Sequence, residues 1–154
     1  MKKRASKLNL HSRIELKYLC SYFTAIEVEF NPVTYSVSEN DGVATVTLVT
    51  SSFSYDFPFS VTLSYSDITA LVGSDYEGNI ITVDFIAGQA SASFDVPIIN
   101  DTVAELPEEF SITLVSTNVS DRVVIGDDDV ATVQIIDDEG EYIYKYAVNE
   151  IYIL

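Results

Sequence analysis

The sequence predicts an all-β domain, an antiparallel β-sandwich of immunoglobulin-like type with about seven strands. Three observations support this class. Apolar and polar residues alternate with period two along most of residues 30–138, Gly with Asn, Asp or Gln marks the turns, and helical patterning is absent from this region. Short strands separated by frequent turns are typical of such sandwiches. A β-barrel is the alternative, because sequence rarely distinguishes the two.

Alternation of apolar residues defines the strands in order. The first segment alternates from Val33 to Val37, the second is apolar but less regular, and the third places large apolar residues at every second position from Phe57 to Tyr65. The four later segments repeat this pattern, and β-branched and aromatic residues favour strands. The predicted strands are residues 33–38, 43–52, 57–66, 80–86, 91–99, 109–117 and 130–136.

Glycine-containing turns separate several of these segments. Asn40-Asp41-Gly42 lies between the first and second strands, Glu77-Gly78-Asn79 before the fourth, and Ala87-Gly88-Gln89 between the fourth and fifth. Glycine supplies the positive φ that tight turns require, and Asn or Asp tolerates it. The turns therefore support the strand boundaries.

Charge is distributed unevenly along the 154 residues, whose net charge is −16. Most basic residues lie near the N-terminus, and beyond Lys17 only Arg122 and Lys145 oppose the acids. The acidic main body argues against nucleic acid and anionic membrane as partners. No apolar run approaches the length of about 18 residues that spans a membrane, so we expect no direct membrane insertion by this segment.

The predicted organisation is a basic leader or flank (1–28), one domain (29–140) and an apolar C-terminal flank (141–154). The last could add a strand or begin a further segment. The only histidine, His11, and the only cysteine, Cys20, fall in the leader. No Ser-His-Asp set can be assembled from the sandwich, and we therefore predict that the domain is not an enzyme.

Strand direction predicts where the acidic residues gather. If successive strands run up and down, the first, third, fifth and seventh lead to loops at the same pole of the sandwich. The run 127–129 precedes the last strand and is expected at the opposite pole. The acids expected at the shared pole are Glu39, Asp75, Asp101, Glu105, Glu108, Asp137, Asp138 and Glu139.

Gathered carboxylates need a cation. Two like charges 4 Å apart repel by about 1 kcal/mol in water and several times more near a protein surface. The predicted pole has no nearby Lys or Arg. Calcium accepts about six to eight oxygen ligands in irregular geometry, whereas magnesium demands octahedral geometry and zinc favours His or Cys. Calcium is therefore the predicted cofactor.

Five motifs, taken together and in order, carry a family resemblance. The sequence resembles the Calx-beta domain family, known from sodium–calcium exchangers and large adhesion proteins, over about residues 29–139. The motifs are YSVSENDG at 35–42, GSDYE at 73–77, VDFIAGQ at 83–89, IINDTVAELPEEFSITL at 98–114 and VATVQIIDDE at 130–139.

The resemblance implies a Greek-key sandwich whose loops at one pole bind calcium. It implies carboxylate ligands at most of the acids named above, with the backbone carbonyl of Val103 as a further ligand. Two positions depart from the strong binders. Asn100 stands where they carry aspartate, and Glu139 where they can carry a third aspartate. The implied ligands are Glu39, Asp75, Asp101, Val103, Glu105, Glu108, Asp137 and Asp138.

Two functional hypotheses follow from the resemblance. The first is a calcium-binding module, one unit of a larger adhesion or signalling protein, in which calcium ions order the loops and neighbouring domains of the same chain are partners. The alternative is a metal-free structural or adhesion repeat. The sequence leaves localisation undetermined, and the resemblance alone suggests an extracellular or membrane-associated host protein.

Overall fold

The computed structural model describes residues 25–139, and these form two packed β-sheets with nine strands. The predicted leader up to residue 24, with His11 and Cys20, and the flank 141–154 lie outside the described residues. The strands are β1 (Ile26–Phe30), β2 (Thr34–Ser38), β3 (Val43–Thr50), β4 (Phe59–Asp67), β5 (Ile81–Phe85), β6 (Ser91–Pro97), β7 (Glu108–Thr117), β8 (Val123–Ile125) and β9 (Val130–Ile136).

The two sheets confirm the sandwich and exclude the barrel. One sheet has the order β6-β3-β1-β8 and the other the order β2-β9-β7-β4-β5. The chain crosses from the first sheet to the second between β1 and β2, through a cis Asn31–Pro32 peptide bond. Within residues 25–139, no helix is both long enough and apolar enough to span a membrane.

Seven of the nine strands correspond to the seven predicted ones, and two were missed. β1 alternates as a strand should, with Ile26, Val28 and Phe30 buried, but it begins inside the range predicted as leader. β8 has only three residues, too few to show a period. β1 pairs with β8 in parallel, and β2 pairs with β9 in parallel, so the sandwich is not purely antiparallel.

Parallel pairing of β2 with β9 agrees with the predicted strand directions. β7 runs antiparallel to both β9 and β4, and β6 runs antiparallel to β3. Loops from both sheets also meet at one end, because the amide of Ile98 donates to the carbonyl of Gly42 (3.0 Å) and that of Ile99 to the carbonyl of Asp75 (2.9 Å). We call this the acidic end: loops 39–42, 68–80, 98–107 and 137–139.

Aromatic pairs occupy the core between the sheets. Phe59 stacks on Phe85 with ring centroids 4.7 Å apart, and Tyr76 stacks on Phe110 at 3.9 Å. Tyr76 belongs to loop 68–80 yet is only 1% exposed. Burial of such side chains supplies most of the driving force for folding, and it also anchors that loop to the core.

We expect Phe30→Ala to lower the free energy of unfolding by about 3–5 kcal/mol, because the ring is 1% exposed and its loss leaves a cavity. The matched control is Phe53→Ala, since Phe53 is 74% exposed, and it should change stability by no more than about 0.5 kcal/mol. Urea denaturation of both variants measures the difference. If Phe30→Ala lowered the free energy of unfolding as little as Phe53→Ala does, β1 would not belong to the core.

Candidate metal centre

The turn after β2 buries Glu39 at the acidic end. Residues Glu39–Asp41 form a short 3-10 helix, closed by Gly42 in the left-handed region (φ 70°). The amide of Ser38 donates to the Asp41 carboxylate at 3.1 Å, and the amide of Gly42 donates to the carbonyl of Glu39 at 3.0 Å. Glu39 is 4% exposed and is the only charged residue among the buried side chains of residues 25–139.

The first acidic cluster consists of Glu39, Asp137 and Glu139. One carboxylate oxygen from each lies within 4.8 Å of the others. Glu39 follows β2, and the other two follow β9, so the parallel pairing of these strands brings them together. Three carboxylates from two neighbouring strand ends are thus gathered in one partly buried group.

The second acidic cluster consists of Asp75, Glu105 and Glu108, again with carboxylate oxygens within 4.8 Å of one another. Loop 68–80 supplies the aspartate, loop 98–107 supplies Glu105, and Glu108 begins β7. All three residues are partly exposed. This cluster is therefore more open to solvent than Glu39 is.

Asp101 lies between the clusters. Its backbone amide donates to the carboxylate of Glu39, and its charge acts on both Glu39 and Glu105. Its own carboxylate accepts the amide of Val103 at 2.6 Å, which fixes the turn at the start of the loop. Asp101 therefore couples the two clusters electrostatically without joining either.

Asp138 is not a member of the first cluster, although its carboxylate lies next to that of Glu139. It is exposed, and its carboxylate accepts a long hydrogen bond of 3.5 Å from the side-chain amide of Asn100. Val103, whose carbonyl the resemblance implies as a ligand, is 57% exposed. The structure thus brings five of the eight predicted ligands into the two clusters, and Asp101, Val103 and Asp138 belong to neither.

Glu139 is the residue that sequence reasoning left out of the ligand set. Its place after Asp137 and Asp138 in an unbroken acidic run was the available signal. Asp137 and Glu139 share a cluster, and Asp138 belongs to neither cluster.

Burial and mutual repulsion raise the pKa of several carboxyl groups at the acidic end. Burial is the main cause that raises the pKa of Glu39 to about 7, and the charges of Asp137, Asp101 and Glu105 add to it against the hydrogen bond from Asp101. Burial, the hydrogen bond with Asp75 and the neighbouring charges raise the pKa of Glu108 to about 7. Burial followed by nearby charges raises the pKa of Glu105 as well.

No basic side chain of residues 25–139 offsets this charge. Arg122 is the only Lys or Arg in that range, and it lies near Asp56 (3.6 Å) with its guanidinium 3.5 Å from the centre of the Phe57 ring. It precedes β8, away from the acidic end. The exposed acids of 127–129 precede β9 and join neither cluster, as strand direction predicted.

Comparison with known proteins identifies similar domains. The model of the family described as the Calx-beta domain matches residues 24–139. The sodium/calcium exchanger 3 of Rattus norvegicus is 28% identical over 147 residues, which cover 84% of this chain and 16% of that protein. The sodium/calcium exchanger 1 of the same species is 29% identical over 135 residues, or 78% of this chain and 14% of that protein.

Solved structures show the same fold. The crystal structure of the apo-form Calx CBD1 domain superposes with a TM-score of 0.68 at 33% identity, covering 75% of this chain and 99% of that one. A structure described as the calcium binding domain CBD12 of CALX1.1 gives 0.67 at 32% identity, covering 73% of this chain and 46% of that one. The chain thus matches nearly all of a single domain and about half of CBD12.

We expect the metal-free protein to lose stability as the pH rises. Glu39 and Glu108 hold their protons up to about pH 7 in the folded state, compared with an ordinary value of 4.5. Between these values the folded state binds more protons than the unfolded state, so the free energy of unfolding falls with rising pH and levels off above pH 7. Urea denaturation in chelator across this range measures the slope.

Glu39→Gln replaces the carboxyl group with an amide that cannot ionise. The fall in the free energy of unfolding across this pH range should therefore be smaller by about 1–3 kcal/mol. The control is Asp128→Asn, which removes an exposed acid outside the acidic end and should retain the wild-type slope. A wild-type slope in Glu39→Gln would show that burial of this carboxylate does not govern the pH dependence.

Proposed function

Because this chain belongs to the Calx-beta domain family, we propose that it is a calcium-binding module whose two acidic clusters supply the ligands. The observation that carries this proposal is a set of buried oxygens that receive no hydrogen bond. Within residues 25–139, these buried side-chain atoms are Glu39 Oε2, Asp137 Oδ1, Asp137 Oδ2 and Glu139 Oε2. All of them belong to the first acidic cluster.

Such a set is costly without a cation. Leaving one buried polar group unsatisfied costs about 1–3 kcal/mol, and more when the group is charged. Carboxylate oxygens are hard ligands, and the cluster contains no His or Cys that would favour zinc. The donor set therefore fits a calcium ion, which would satisfy the unpaired oxygens and offset the repulsion between them.

The remaining acids divide by position. In the proposal, Asp75, Glu105 and Glu108 hold a further ion at the more open cluster. Asp101, the Val103 carbonyl and Asp138 stay proposed as additional ligands, since they lie on the same loops. Calcium ions need more oxygens than the three carboxylates of one cluster provide, and backbone oxygens or water complete such sites.

Calcium binding would act on neighbouring domains by ordering the acidic end. Neutralising the clusters removes the repulsion between loops 39–42, 68–80, 98–107 and 137–139, which stiffens that surface. The chain spans only 16% of the exchanger 3 sequence and 46% of CBD12, so we propose that it is one domain of a longer chain. No catalytic step is part of this function.

The names of the relatives favour a membrane-associated host protein over an extracellular one, because both reported relatives are sodium/calcium exchangers. A role in cell adhesion or cell communication stays a prediction of the family resemblance. The competing function is a metal-free structural repeat, and Asn100 favours it. This residue places a neutral amide beside Asp138, where the resemblance implies an aspartate in strong binders.

Calorimetric titration and thermal melting distinguish the two functions. We expect calcium to release measurable heat and to raise the melting temperature, with a stabilisation of about 2.7 kcal/mol at a free concentration of 100 times Kd. Melting in chelator gives the metal-free reference, and magnesium serves as the control cation. No heat from calcium and an unchanged melting temperature would support the metal-free repeat.

Substitutions test whether binding is confined to the acidic end. Glu105→Ala and Asp137→Ala each remove one carboxylate from a different cluster, and we expect calcium affinity to fall at least about tenfold in each. Asp128→Ala removes an exposed acid outside the acidic end and should change affinity less than about twofold. Equal effects of all three substitutions would contradict the segregation of the ligands.

A further inference from the structure

Asp67 is an acid next to the candidate metal centre that joins neither cluster. It is the last residue of β4, and its carboxylate binds within the protein. The hydroxyl of Tyr76 donates to Asp67 Oδ1 at 2.6 Å, and the amide of Val72 donates to the same oxygen at 3.1 Å. We call these two hydrogen bonds the Asp67 clamp.

The clamp is anchored in the core. The Tyr76 ring stacks on Phe110 with a 3.9 Å centroid separation and an interplanar angle of 7°. The backbone of Tyr76 forms bridges to Val72 on one side and to Ile98 on the other. Core packing and backbone pairing therefore hold the Tyr76 hydroxyl that donates to Asp67.

The clamped segment is the one that presents Asp75. The amide of Leu71 donates to Asp75 Oδ2 at 2.6 Å, and the amide of Asp75 donates back to the carbonyl of Leu71 at 3.0 Å. Gly73, between them, donates its amide to the carbonyl of Tyr76 at 2.8 Å. Asp75 is thus positioned by a tight turn over residues 71–76 that Asp67 holds at Val72 and Tyr76.

We propose that Asp67 and Tyr76 are positioning residues of the metal centre, which hold loop 68–80 so that the Asp75 carboxylate faces Glu105 and Glu108 before an ion binds. This inference rests on the proposed calcium-binding function. A loop that is ordered in advance does not have to lose conformational freedom on binding, and the affinity is correspondingly higher. Neither residue contacts the ion itself.

Tyr76→Phe tests the clamp while it keeps the stacked ring. We expect calcium affinity, measured by calorimetry, to fall about 3- to 20-fold. The matched control is Tyr35→Phe, which likewise removes a hydrogen-bonded tyrosine hydroxyl. The Tyr35 hydroxyl accepts a hydrogen bond from the amide of Thr47 (3.0 Å) and donates one to the carbonyl of Thr47 (3.3 Å). Tyr35 lies in β2 and Thr47 in β3, outside loop 68–80, so Tyr35→Phe should change affinity less than about twofold.

Substitutions of Asp67 separate positioning from direct ligation. Asp67→Asn keeps an oxygen that accepts both hydrogen bonds and should retain affinity within about twofold. Asp67→Ala should weaken binding at least as much as Tyr76→Phe, because it also removes the hydrogen bond from Val72. The double variant should lose little more than Asp67→Ala alone, since both substitutions remove the bond between Asp67 and Tyr76. Equal losses in Asp67→Asn and Asp67→Ala would make Asp67 a ligand and overturn the inference.

Hydrogen exchange of the metal-free protein measures the clamp without calcium. We expect faster exchange of the Val72 and Leu71 amides in Tyr76→Phe and wild-type exchange in Tyr35→Phe. Wild-type calcium affinity and exchange in Tyr76→Phe would overturn the positioning role while leaving the proposed function standing. Absence of calcium binding in the wild-type protein would overturn both.

Discussion

The burial of Glu39 against Asp137 is the constraint on which the acidic end depends. Parallel pairing of β2 with β9 directs both residues to the same place, where carboxylate oxygens of each are buried without a hydrogen bond. The folded chain therefore carries the repulsion of these charges, offset by the packing of its core. A raised pKa at Glu39 and unpaired oxygens at Asp137 are two consequences of this one arrangement.

Core packing supplies the rigidity that this constraint requires. Tyr76 and Phe110 stack in the core, and the same tyrosine ties loop 68–80 to Asp67 at the end of β4. Under the proposed positioning role, this packing holds Asp75 near Glu108. Strand direction thus gathers the acids, and a cation is the simplest way to offset the repulsion between their charges.

The sequence predicted the sandwich and the end at which the acids gather, because period-two alternation and strand parity follow directly from backbone geometry. It missed β8, which is too short to show a period, and it placed the start of β1 in the leader. It could not separate the acids into two clusters, because Asp75 and Glu105 lie in loops whose course no local pattern predicts. Pairing of β1 with β8 joins residues almost a hundred positions apart, which local patterns do not encode.

Anomalous diffraction from crystals grown in saturating calcium tests the central claim most directly. We expect one peak among Glu39, Asp137 and Glu139, and a second among Asp75, Glu105 and Glu108, with carboxylate oxygens at about 2.3–2.6 Å from each ion. Unoccupied clusters at saturating calcium, or ions bound only at residues 127–129, would contradict this claim.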